Sequence, residues 1–245
     1  MAGRRHRAFQ QIRTDPQHTD PAEHAAVLHD RADRLLTRGE AGQAETLLHQ
    51  ARQLFTDLGD TREAAITWGH IADVLQQRGE VDEALRIRHE IELPAFERIG
   101  DTRSTAVTWG HIADVLQQRG EVDEAVELQL KRLEVNERLG DIGGIAAANW
   151  DLARIDLKRG DFHAAVPRLM TSFQHLLELQ RPDGIAAVGI ALGHVMLAAG
   201  AHAQARQVLQ TCRAAAALIG NADIVSQADE LMETIGDEDD EDEES

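Results

Sequence analysis

A histidine followed three residues later by an aspartate occurs twice, at His70 with Asp73 and at His111 with Asp114. Imidazole and carboxylate on one helix face are donors that zinc or nickel accepts. The spacing is generic and such pairs are ordinarily solvated, so no metal and no other cofactor is expected. The chain has 43 Asp and Glu residues, and carboxylate pairs must occur somewhere among them. None has a neighbourhood that would separate the two pKa values as general acid–base chemistry requires. Cys212 is the sole cysteine, which excludes an intrachain disulfide and a cysteine zinc site. It falls where the repeat described below places an inward-facing alanine, which predicts a buried, inert thiol. There is no Gly-rich phosphate loop, no serine-nucleophile motif and no His-Glu zinc helix. No catalytic residue is assigned, and an enzyme is not expected.

Composition narrows the elements that could carry any site. The 245 residues are 42% hydrophobic but only 3% aromatic, with three Trp, five Phe and no Tyr. Strands draw on β-branched and aromatic residues, whereas this chain relies on Ala and Leu, so an all-α fold is expected. The net charge of -18 repels nucleic-acid phosphate and anionic lipid alike. No apolar run is long enough for a membrane span, and the arginines near the amino terminus precede no apolar stretch. A cytoplasmic location is expected, with neither nucleic acid nor membrane as partner.

The main organising feature is a repeat. The 18 residues Thr67 to Ala84 recur without a change as Thr108 to Ala125, an offset of 41. Gly39, Gly79, Gly120, Gly160 and Gly200 follow at spacings of 40, 41, 40 and 40, with an alanine five residues after each. Apolar residues fall at helical spacing on both sides of each glycine, as with Trp68, Ile71, Ala72 and Leu75 before Gly79. Five units of two helices follow, each first helix ending where a glycine supplies positive φ. Second helices stop at Leu58-Gly59-Asp60, Ile99-Gly100-Asp101 and Leu139-Gly140-Asp141. Asp60 with Glu63 has N-cap spacing, and Asp20-Pro21 opens the first helix in the same way.

The expected helix pairs are 21–38 with 41–57, 61–78 with 81–98, 102–119 with 122–138, 142–159 with 162–178, and 183–199 with 202–218. A lone helix at 222–235 caps the end. Residues 1–19 form a flexible basic arm, and 236–245 a disordered acidic tail. Gly79 to Gly100 spans 21 residues where the other units span 20, and Pro94 lies inside that longer helix. The extra residue and the proline predict a distortion near Glu92 to Ala95. Trp68, Trp109, Met170 and Phe173 are expected in the core.

These residues resemble the tetratricopeptide repeat in its long form, as in kinesin light chain and the sensor arrays of bacterial signalling ATPases. Trp68 and Trp109, Ile71-Ala72 and Ile112-Ala113, Gly79 and Gly120, and Ala84 and Ala125 occupy that family's marked positions, over residues 22 to 235. Asn149 and Gly189 at the Trp position, Leu75 and Leu116 for Tyr, and Gln129 at an apolar position depart from it. The resemblance implies a right-handed superhelical solenoid of five helix-turn-helix repeats plus a capping helix over residues 20–235, binding a protein or peptide in a concave groove.

Carried onto this chain, the family pattern implies groove residues at Asp30, Asp33, His70, Asp73, Gln77, His111, Asp114, Gln118, Asp151, Arg154, Lys158 and His194, with Trp150 as an apolar contact. Such a surface is mostly acidic and suits a basic or amide-rich partner segment. If it is solvated, reversing the charge of Asp73 and Asp114 leaves the fold intact. The expected function is an adaptor with no chemistry of its own; the alternative is a self-associating scaffold.

Overall fold

The computed structural model describes the backbone of residues 20–243. Its elements are α1 (Pro21–Thr37), α2 (Ala41–Asp57), α3 (Thr61–Gln77), α4 (Val81–Ile87), a π-helical turn (Arg88–Glu92), α5 (Leu93–Ile99), α6 (Thr102–Arg119), α7 (Val122–Leu139), α8 (Ile142–Arg159), α9 (Phe162–Glu178), α10 (Pro182–Ala198), α11 (His202–Leu218) and α12 (Ala222–Glu243). No strand occurs among the described residues. The chain divides into two compact units, one ending at Arg119 and the other beginning at Gly120. The expected basic arm, 1–19, lies outside the described residues.

Every repeat helix ends within one residue of its expected position, because the same device stops each one. Gly79 takes φ 82°, and the amide of Glu80 then turns back to donate to the Leu75 carbonyl at 2.8 Å. This left-handed cap satisfies a carbonyl that the helix leaves open. After second helices the residue beyond the glycine also starts the next element. The Asp60 amide donates to Phe55 O at 2.9 Å while its Oδ1 accepts from the Glu63 amide at 3.1 Å.

The alanines that follow each first-helix stop, Ala44, Ala84, Ala125, Ala165 and Ala205, are all fully buried. A methyl group there lets neighbouring helices approach closely. In the first unit, Ala32, Ala44, Leu48, Ile71, Leu75 and Ala84 share one core cluster with Trp68 at its edge. The half-buried Trp68 ring also carries the Arg52 guanidinium, 5.0 Å from its centroid. In the second unit, Leu169 and Phe173 of α9 pack with Ile185, Val188 and Leu192 of α10. Gly189 replaces tryptophan there because a Cβ would stand 2.8 Å from the Cys212 Cβ and 3.0 Å from the Phe173 ring. Cys212 is buried and its thiol lies 3.2 Å from the Ala186 carbonyl; burial pushes its pKa up to about 11, which keeps it protonated and unreactive at neutral pH.

Two expectations need correction. Met170 is 50% exposed, not core: Leu169 and Phe173, at i and i+4, take the inward face of α9 and leave Met170 one position round the helix. The last helix also runs past residue 235 to Glu243, so the backbone of the acidic run is helical that far. Gly236 does not stop it, and the run that follows contains neither proline nor a further glycine.

The distortion falls just before Pro94. A proline in a helix interior has no amide to donate and crowds the carbonyl four residues back. Here the preceding turn widens so that the Leu93 amide donates to Arg88 O, five residues back. Pro94 then sits in the first turn of α5, where a missing donor costs nothing. The additional residue of this repeat is the one the wide turn takes up.

One stop lacks its glycine. Gln180 adopts φ 52° where Gly59, Gly100 and Gly140 stand in earlier repeats, a conformation costing a residue with a Cβ about 1 kcal/mol or more. Gln180→Gly removes that strain but frees the unfolded chain, so a net gain of about 0.5–1 kcal/mol is expected. Urea denaturation checks it; a loss of stability would mean that the Gln180 side chain outweighs its backbone strain.

Candidate functional site

In the first unit, α1, α3 and α6 contribute to one groove of about 430 Å³, lined by Asp33, Leu36, His70, Asp73, Gln76, Gln77 and Gln118. Five of the expected groove residues therefore meet: Asp33, His70, Asp73, Gln77 and Gln118. Asp30 is exposed and pairs with Arg34 on its own helix. His111 and Asp114 are half-buried on α6. Contacts of these side chains run across repeats: His70 Nδ1 approaches Asp33 Oδ1 at 3.2 Å, while Asp73 and His111 converge on a third residue.

That residue is Arg88, which the π turn carries into the unit with no side-chain exposure. Its Nη2 donates to Asp73 Oδ1. Its Nη1 donates to Glu92 Oε2 at 3.1 Å and to His111 Nδ1 at 3.0 Å. A guanidinium has no acceptor, so Nδ1 is the bare nitrogen of His111. The Thr108 hydroxyl closes the cluster by donating to Glu92 Oε1 at 3.0 Å. Gly69 makes room for it, since a Cβ there would lie 2.8 Å from that same oxygen. The Arg88 Nε is left without a hydrogen-bond partner. Burial raises Glu92 above the ordinary glutamate value, and the Arg88 charge pulls it part of the way back.

Asp73 therefore faces the groove while also pairing with a buried cation, and the full solvation that a harmless charge reversal depends on is not what the structure has. A lysine at 73 would set a second cation against a buried guanidinium. Arg88 and Glu92 were not read as site residues. The sequence did signal them, because the extra residue and Pro94 mark the turn that brings both inward.

In the second unit the expected site residues lie on α8 and α10. Asp151 is largely buried: its Oδ2 accepts from Arg132 Nη1 at 2.9 Å and from Gln129 Nε2 at 3.4 Å. Gln129 is fully buried, which accounts for a polar residue at an apolar position of the repeat. Burial pushes the Asp151 carboxyl up, against the pull of Arg132. Arg154 is exposed, 3.7 Å from Asp151 Oδ1 and 5.8 Å from the Trp150 ring centre. Lys158 and His194 are exposed.

Removing one member of a buried ion pair strands the other. Arg88→Ala is expected to cost about 3–5 kcal/mol, read from the denaturant midpoint; a loss below about 1 kcal/mol would mean that water or a rearranged chain replaces the guanidinium. Glu92, raised in the fold, binds its proton more tightly folded than unfolded. It therefore adds stability as pH falls through its folded pKa, complete below the ordinary 4.5. The native protein should gain stability relative to Glu92→Gln between pH 7 and 4.5, and an unchanged difference would contradict the burial effect.

Residues 104–178 match the tetratricopeptide repeat family. No curated protein matches the chain. Among solved structures, the nearly identical TPR-like repeats of a Podosopora anserina protein named after kinesin light chain align with TM-score 0.60 at 21% identity, over 82% of this chain and 98% of that one. Aspartyl phosphate phosphatase F from Bacillus subtilis aligns with TM-score 0.74 at 10% identity, over 91% of this chain and 58% of its own. A Rap protein complexed with competence and sporulation factor gives 0.64 at 14%, over 90% and 65%. At these identities the likeness speaks for the fold. With the 41-residue duplication and the glycine-stopped helix pairs, it gives the chain the fold of a tetratricopeptide repeat array, within which residues 104–178 match that family.

Proposed function

We propose that the protein is a protein-interaction module that holds a segment of a partner polypeptide in the groove lined by α1, α3 and α6. The observation that carries this reading is the lining itself: carboxylates from Asp33 and Asp73 and side-chain amides from Gln76, Gln77 and Gln118 face one open groove. Amides both donate and accept, so they can match the backbone groups of an extended segment. The carboxylates, within a chain of net charge -18, favour a basic or amide-rich partner and disfavour nucleic acid. The buried Arg88 cluster beneath the groove fixes Asp73 and lowers the ordering cost of binding. The Rap protein similar in fold is complexed with competence and sporulation factor, which supports recognition of a partner. We place the protein in the cytoplasm, with no chemistry of its own.

Self-association is the second reading, favoured by Leu218 and Ile219 at the end of α11, which are 78% and 44% exposed. Light scattering separates the two, since a mass of 27.0 kDa at every concentration excludes a scaffold assembled from copies of itself. Gln77→Arg with Gln118→Arg places two cations in the groove at exposed positions outside the Arg88 cluster. The double variant should keep its helical circular dichroism yet recover about tenfold less partner from the native host by pull-down. Undiminished recovery would take the binding surface away from this groove.

A further inference from the structure

The contact between Asp33 and His70 has a counterpart one repeat later, since Asp73 follows Asp33 by 40 residues and His111 follows His70 by 41. In the later pair a guanidinium joins the two side chains, with Arg88 donating to Asp73 and to His111 Nδ1. Arg88 lies nine residues after Gly79; the residue nine after Gly39 is Leu48, fully buried and apolar. The second helix of the first repeat therefore supplies no cation at that point. Instead α1 contributes His29, at the place where the later pair has Gly69, 40 residues on.

His29 stacks on His70 with ring centroids 4.6 Å apart and planes 24° from parallel. Two ring nitrogens, His29 Nε2 and His70 Nδ1, are buried without a hydrogen-bond partner. The Asp33 oxygen 3.2 Å from His70 Nδ1 is near enough for an ion pair but out of line for a hydrogen bond. One donor atom each from His29, Asp33 and His70 lies within 4.8 Å of the others. A stacked pair of imidazoles packed for its own sake would leave both nitrogens bare, and bare buried polar atoms are costly.

We propose that His29, Asp33 and His70 form a binding site for a divalent transition-metal ion of the zinc class. Two imidazole nitrogens and one carboxylate oxygen are a donor set that zinc favours. His29 and Asp33, at i and i+4, project from one face of α1, and His70 reaches them from α3. Donor atoms must lie about 2.0–2.2 Å from such an ion, so the three side chains close inward on binding. Asp33 and His70, with 47% and 34% of their side chains exposed, have the freedom to do so. Asp33 and His70 also line the groove, where remaining coordination positions are open to water. The inference does not depend on what polypeptide the groove holds.

Isothermal titration of the full chain with Zn2+, in the presence of a weak competing chelator that masks scattered carboxylates, tests the site. One saturable equivalent is expected, together with visible ligand-field bands when Co2+ replaces Zn2+. His29→Ala and His70→Ala should each weaken binding by more than the about tenfold that even an outer-shell partner is worth. His194→Ala, at an exposed histidine of α10, should leave it unchanged. If His29→Ala loses its helical circular dichroism, His29→Gln, which keeps a polar side chain of similar reach, gives the same reading. Absence of saturable binding by the native chain, or binding that survives both histidine substitutions, overturns the proposal and leaves a stacked imidazole pair.

Discussion

Each helix in this chain has to end where the next can begin, and a two-residue hinge enforces it. Glycine enters the left-handed region, the following amide reaches back to a carbonyl five residues earlier, and after several second helices the same residue caps the next helix with its side chain. Helix lengths are therefore set by stops and starts more than by the internal propensity of each segment. Fixed lengths keep the small alanines in register, and alanine in register allows neighbouring helices to pack closely. Where Gln180 replaces glycine the hinge still forms, which shows tertiary packing overriding a local preference.

The second repeat bends this rule without breaking it. An extra residue in a helix rotates everything beyond it by about 100° unless it is absorbed, and the π turn absorbs it before Pro94. The same widening turns Arg88 and Glu92 toward the core. A buried charge with too few partners is strongly unfavourable, and this one has two carboxylates and an imidazole. The cluster ties α3, the π turn and α6 together through side chains, in addition to the apolar contacts of the core. It also holds Asp73 still at the groove, so a feature that begins as a chain-length irregularity ends by shaping a surface.

Most of the fold was legible because the information was periodic. The stops, the buried alanines and the Asp caps all repeat, and repetition separates signal from chance. Met170 was misplaced because hydrophobicity alone does not say which side of a helix a residue takes when its neighbours Leu169 and Phe173 already fill the inward face. The site was less legible. Repeat positions mark which residues share one side of the array, yet they say nothing of partners on other helices; the sequence shows neither that Asp73 pairs with Arg88 nor that Asp151 pairs with Arg132. His29 escaped notice for a related reason, since it stands one residue before Asp30, the position that the repeat pattern marks.

The identical stretches Thr67 to Ala84 and Thr108 to Ala125 each start inside a first helix and end inside the next. Excising 41 residues between equivalent points of the two stretches therefore joins matching positions in register, and each remaining repeat of the shortened array keeps its own hinges. What it loses is the non-repeating insert: Arg88, Glu92 and Pro94 fall in the excised segment wherever the cut is made. Such a chain would have four uniform repeats and no buried guanidinium. Copying and trimming can alter the length of this protein freely, while its chemical individuality rests on the few residues between the copies.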